Sequence, residues 1–177
     1  RIKALKPDQA AITQCLMWRE AKAALCKKHY VDLDMVNAHP VLAEQVFKEQ
    51  GYETEILSLF NKKRDTFFKK LMDKGLTRDQ CKGLFIRIFY NGSIKGEDYY
   101  NLDGTAMSYF LQTLECKCLL VMFNFLKQKG RVVGALIHDG LHLQKGYPKD
   151  GEEEDFTELI SEIKIELKEK TGFDINL

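Results

Sequence analysis

The chain has 177 residues, 45% of them apolar and 30% charged, enough for one domain to bury a core without disulfides or structural metal. Lys and Arg number 27 against 26 Asp and Glu, and a net charge of +1 excludes a whole-molecule electrostatic signature for nucleic acid or membrane. The longest apolar stretch, residues 118–125, falls far short of the roughly 20 residues of a bilayer span, so no membrane partner is expected.

In chain order, residues 7–28 are rich in helix formers and open on Pro7 and Asp8, residues suited to a first turn, which predicts a helix. Residues 29–36 alternate Tyr30, Asp32 and Asp34 with Val31, Leu33 and Met35; period two predicts a strand with both aspartates on one face. Pro40 is expected to end that strand, and 41–50 to form a short helix stopped by Gly51. Residues 56–74 carry Ile56, Leu59, Phe60, Phe67 and Leu71 at helical spacing, with Gly75 as the stop. Thr77 is the expected N-cap of a helix over 78–90, closed by Asn91-Gly92. A long apolar helix is expected over 104–129, ended by Gly130, followed by a hairpin over 131–143 turning at His138-Asp139-Gly140. An amphipathic helix over 155–171 points Ile160, Ile163 and Leu167 inward, and 173–177 reads as a final strand.

Charge is unevenly distributed along this framework. Between positions 57 and 95 ten basic residues, among them Lys62, Lys63, Arg64, Lys69, Lys70, Arg78 and Lys82, face only Asp65, Asp73 and Asp79. The balance reverses at Glu152-Glu153-Glu154-Asp155. The five cysteines (Cys15, Cys26, Cys81, Cys116, Cys118) form no CxxC pair, which points to a reducing intracellular compartment. No signal peptide is read at the start, and Arg1 in place of Met leads us to expect an excised domain or processed product with flanking domains.

Asp34 and Asp139 each stand where a strand would present a carboxylate at its end or turn. Two converging aspartates can hold two divalent cations about 3.5–4 Å apart, the geometry of phosphoryl transfer. Taken singly, Asp139 is equally ordinary hairpin-turn chemistry, and Asp32 with Asp34 an ordinary solvated strand edge. Arg78 and Lys82 share a helix face with Tyr90 nearby, which suits a nucleoside triphosphate with cations on phosphates and a ring against a base. A solvated basic stripe accounts for the same spacing. Lys62, Lys63, Arg64, Lys69 and Lys70, with Phe67 and Phe68 between them, could grip a phosphate backbone. Cys116, Cys118 and His142 lack a fourth metal ligand, and His29, His142 and Trp18 read as structural residues.

Taken together, the pieces resemble the palm and fingers of the family A, bacterial polymerase I-like DNA polymerases. Asp34-Met-Val-Asn-Ala-His39 looks like the first palm motif, and Arg78-x-x-x-Lys82 with Tyr90 is similar to the fingers-helix motif. Gly104-Thr105-Ala106 before a long helix resembles the segment preceding the last motif, and Leu136-Ile137-His138-Asp139 looks like the third motif. The resemblance spans about 30–177 in the right order. It departs from the family in three places: His39 occupies the sugar-checking position usually held by glutamate, Gly140 replaces the carboxylate after the third-motif aspartate, and only thirteen residues separate Tyr90 from Gly104.

The resemblance implies an α/β (α+β) fold, a small antiparallel sheet backed by helices with a reduced helical fingers lobe. Its division would be an N-terminal helix (1–29), a first palm segment (30–55), reduced fingers (56–103) and a second palm segment (104–177). It further implies template-directed transfer of deoxynucleoside triphosphates to a primer 3′ end with two Mg²⁺ ions, or Mn²⁺ as substitute. In that scheme Asp34 and Asp139 ligate metal with Asp32 as helper, and Arg78, Lys82, Tyr90 and His39 hold the nucleotide. His138 and the lysine-rich stretch contact primer–template, and the chain works within a larger replication assembly. The alternatives are a polymerase-derived binding or assembly subunit without catalysis, and a metal-dependent nuclease using the same aspartates.

Overall fold

The computed structural model describes residues 26–90, 102–137, 139–146 and 154–177. The helix expected over 7–28, with Trp18 and Cys15, lies outside the described residues except for its last three positions. There the chain turns, His29 N–H donating to Cys26 O at 2.9 Å, and enters the sheet.

Three antiparallel strands form the sheet: β1 (Tyr30–Asp34), β2 (Val133–Ile137) and β3 (Gly140–Gln144), in the order β1-β3-β2. The central strand is the last in sequence. β1 pairs with it from Tyr30 opposite Gln144 to Asp34 opposite Gly140. Leu33, Met35, Leu141 and Leu143 are buried and put one face of the sheet into the core, as the alternation of β1 requires. The other face carries Tyr30, Asp32 and Asp34. β2 and β3 join through the two-residue loop 138–139, and Gly140 already belongs to β3, paired with Ile137.

Five helices complete the described fold: α1 (Ala38–Glu49), α2 (Glu55–Met72), α3 (Arg78–Phe89), α4 (Leu102–Gln128) and α5 (Thr157–Thr171). The mixed α/β class with a small antiparallel sheet is as expected. α4 is the spine, its Leu111, Cys118, Met122 and Leu126 fully buried among Leu42 of α1, Leu141 and Leu143 of β3, and Ile163 and Leu167 of α5. Each such side chain contributes about 1.5–3 kcal/mol relative to exposure. By length and composition alone the 23-residue stretch Ala106–Gln128 could cross a membrane, a property that counting uninterrupted apolar residues missed. Here that helix packs its buried side chains into the core.

Helix ends follow the predicted signals. Thr77 and Gln80 form a capping box, Gln80 N–H donating to Thr77 Oγ1 at 3.2 Å and Thr77 N–H to Gln80 Oε1 at 2.8 Å. Gly75 (φ 96°) and Gly130 (φ 72°) take the left-handed conformation that ends a helix at little cost. Three expectations are corrected. α1 starts at Ala38, with Pro40 inside its first turn, where a missing N–H costs nothing. Ile56 and Leu59 are exposed and Phe68 is the buried residue of α2, because the helix breaks at Lys63 (φ −129°, ψ 27°) and the apolar face is rephased. Residues 173–177 form no strand. Instead the Gln45 side chain donates to Asp174 O at 2.9 Å and accepts from Asp174 N–H at 2.7 Å. Val36 N–H then donates to Asn176 O at 2.8 Å, and Ile175 is buried.

Candidate active site

The two aspartates expected to carry chemistry come from neighbouring chain segments. Met35 N–H, one residue past Asp34, donates to Asp139 O at 3.0 Å and ties the end of β1 to the hairpin turn. Asp34 lies opposite Gly140, and a Cβ at 140 would land on Asp34 Oδ1 and 2.7 Å from Leu33 O. Gly140 is therefore needed for close approach of two strands. It has no left-handed φ and no turn to make, contrary to the Asp-Gly turn expected there. The same crowding leaves no room for a second carboxylate after Asp139. Asp32, the expected helper, has its carboxylate against Nε2 of His142, which is 2% exposed and lies near the Tyr30 ring with centroids 6.0 Å apart. Sequence reasoning placed His142 at a strand flank; it sits in the central strand, covered on both faces.

A cavity of about 1430 Å³ opens between α1, α2, α3, α4 and the hairpin turn, with Asp139, His39, Lys82, Tyr90, Glu115 and Arg64 among its walls. Of the expected residues it gathers Asp139, His39, Lys82, Tyr90 and, from the stretch expected at the primer–template, Arg64. Asp34 is not in its lining, although the residue next to it, Met35, is. Asn37 directs the chain from β1 into α1 by adopting a left-handed conformation (φ 53°, ψ 42°), which asparagine tolerates better than most residues. That turn brings His39 to the cavity. His39 Nε2 lies 2.9 Å from Glu115 Oε2, and Nδ1 contacts the Tyr90 hydroxyl. A carboxylate only accepts, so Nε2–H donates to Glu115, which in the neutral imidazole leaves Nδ1 to accept from the phenol. Burial, then the Glu115 carboxylate, pushes the Tyr90 phenol above its ordinary 10.0, against a lowering bond from the Ser108 hydroxyl. The phenol stays a neutral donor. Glu115 was missed in the sequence because a single glutamate in an apolar helix has no local signature.

The aromatic residues of α2 and α3 form the cavity's second wall. Phe60 and Phe68 stack against Phe85 with centroids 4.5 and 5.4 Å apart. Arg64 lies over the Phe68 ring at 5.3 Å, and Lys82 stands one turn before Phe85. Arg78, expected beside Lys82 at the phosphates, is outside the lining. It donates to Asp65 at 3.1 Å, and its Cζ lies over the Phe68 ring, 5.5 Å from the centroid. Spacing on one helix could not reveal that α2 competes for its guanidinium. Lys62, Lys63, Lys69 and Lys70 are exposed on α2, and His138 lies outside the described residues.

Among the described residues no three His, Cys, Asp or Glu side chains are grouped to hold a metal ion.

No family model and no solved structure matches the chain, so neither comparison supports the resemblance to family A polymerases. The chain is 23% identical, over 193 aligned residues, to "Putative helicase V13" of Sputnik virophage. The match takes in 83% of this chain and 24% of that protein, so the chain spans about a quarter of the length of the curated relative it matches.

Proposed function

We propose that the chain is a nucleic-acid-processing module that carries out template-directed nucleotidyl transfer, adding deoxynucleoside triphosphates to a primer 3′ end. The observation that carries this reading is the meeting of Asp139, His39, Lys82 and Tyr90, from three elements far apart in sequence, around one cavity. Asp139 and the adjacent Asp34 would hold Mg²⁺, or Mn²⁺ in its place. The ion, when bound, would lower the pKa of the attacking hydroxyl and offset charge on the leaving pyrophosphate. Lys82 would neutralise the triphosphate, the Tyr90 ring would line the base, and the His39 ring, held by Tyr90 and Glu115, would border the sugar. Stabilisation would come from positioning and fixed charge, the larger part of catalysis in phosphoryl transfer.

The virophage relative, described as a helicase and about four times as long, supports a nucleic-acid partner and flanking domains. The lysines of α2 provide a surface for a phosphate backbone, and the domain division at about 29, 55 and 103 belongs to this reading. A second reading is a polymerase-derived module that binds without catalysing, favoured by the absence, among the described residues, of three metal-ligating side chains grouped together. Primer extension by the full chain with Mg²⁺ or Mn²⁺ tests the choice. Extension that disappears in Asp139→Ala supports transfer; salt-sensitive binding of primer–template without extension supports the second reading, and degradation of the labelled primer a nuclease.

A further inference from the structure

We infer that Arg64 of α2, and not Arg78 of α3, is the second phosphate-binding cation of this cavity, acting beside Lys82 on the triphosphate of an incoming nucleotide. The inference deepens the proposed function, on which it rests for the identity of the ligand. On α3 alone, Arg78 and Lys82 share a face and look like a pair. Packing of α3 on α2 separates them. Arg78, at the first position of α3, turns away to Asp65 and leaves the cavity lining. That ion pair is exposed, with side chains 58% and 81% accessible, and stabilises little; it is position that removes Arg78 from the site.

Arg64 occupies the vacated role from the facing helix. It follows the break at Lys63, which reorients the second half of α2, and lies one turn before the buried Phe68 and one turn after Phe60. Both rings pack on Phe85, and Lys82 precedes Phe85 by one turn, so Arg64 and Lys82 flank the same aromatic cluster from opposite helices. Arg64 Cζ lies over the Phe68 ring, 5.3 Å from its centroid, and no carboxylate among the described residues pairs with Arg64 or Lys82. A guanidinium held over a ring face still carries N–H donors at its own edge for two phosphate oxygens, while an ammonium nearby acts as a point charge. Both cations line the cavity that Asp139 also lines. Contact with the Phe68 ring would lower the ordering cost of Arg64 when an anion arrives.

Calorimetric titration of the full chain with dATP and with dAMP, in Mg²⁺ buffer without primer–template, reads phosphate binding apart from chemistry. Arg64→Gln is expected to weaken dATP at least tenfold and dAMP less than twofold, with Arg64→Lys intermediate for dATP and Arg78→Gln within twofold of wild type. Equal losses for dATP and dAMP would mark a structural role for Arg64 and overturn the inference. So would a larger loss in Arg78→Gln than in Arg64→Gln, or a wild type that binds no dATP. If Arg64→Gln fails to fold, Arg64→Lys decides by the same dATP-to-dAMP comparison. A wild type that binds dATP through Arg64 yet extends no primer would retire nucleotidyl transfer and leave this inference standing.

Discussion

At position 140 a hydrogen in place of a methyl group lets Asp34 and the Leu33 carbonyl sit against β3. An alanine there would have to move backbone as well as side chain, since Leu33 O is 2.7 Å from the Cβ site. Gly140→Ala is expected to cost about 1–3 kcal/mol, a melting temperature lower by about 3–10 °C, and to abolish extension by displacing Asp34. Thermal unfolding with a parallel extension assay checks it, and an unchanged melting temperature would show that the strand ends part freely. Glu154 provides the pH handle. Burial raises its pKa, but the Gly146 N–H at 2.6 Å and the Arg131 guanidinium outweigh burial and hold it below its ordinary 4.5. A carboxyl with a depressed folded-state pKa stabilises fully above its unfolded value and loses that stability as pH falls through the folded one. Glu154→Gln should therefore lower the melting temperature by about 2–4 °C at pH 7, with the difference from wild type closing on acidification through the carboxylate range.

Among the elements, helix ends were the most legible, since Thr77, Gly51, Gly75 and Gly130 act through local backbone geometry. The apolar phase of α2 was misread because a break at Lys63 is set by packing and not by any glycine or proline. The C-terminal segment shows a related substitution of roles. Apolar alternation over 173–177 suggested a strand, yet the Gln45 amide satisfies the Asp174 backbone as a neighbouring strand would. Gln45→Ala is expected to destabilise by about 1–2 kcal/mol, two hydrogen bonds' worth, and to accelerate hydrogen exchange of the Asp174 amide preferentially. Equal acceleration across β1, β3 and the tail would mean that Gln45 supports the whole domain instead of this segment.

For the whole molecule, a net charge of +1 conceals a basic helical lobe and an acidic stretch near position 153. Exposed Lys62, Lys63, Lys69 and Lys70 on α2 form a surface suited to a phosphate backbone. Lys69→Glu with Lys70→Glu should weaken single-strand binding and flatten the plot of log K against log salt by about 1.5, the value for two lost phosphate contacts. Fluorescence anisotropy across a salt series measures the slope. A slope equal to wild type would place the nucleic acid on another surface.

From residues alone the α/β class followed, with the amphipathic strand bearing Asp32 and Asp34, the hairpin around Asp139, and nearly every helix, because period, caps and turn residues act over a few positions. Only tertiary packing decided which side chains share the cavity. It paired His39 with Tyr90 and Glu115 across 51 and 76 positions, drew Asp32 to His142, and put Arg64 with Lys82 in the cavity wall while leaving Arg78 outside it. Those partners lie on different elements, and spacing along one helix carries no information about what a neighbouring helix brings to meet it.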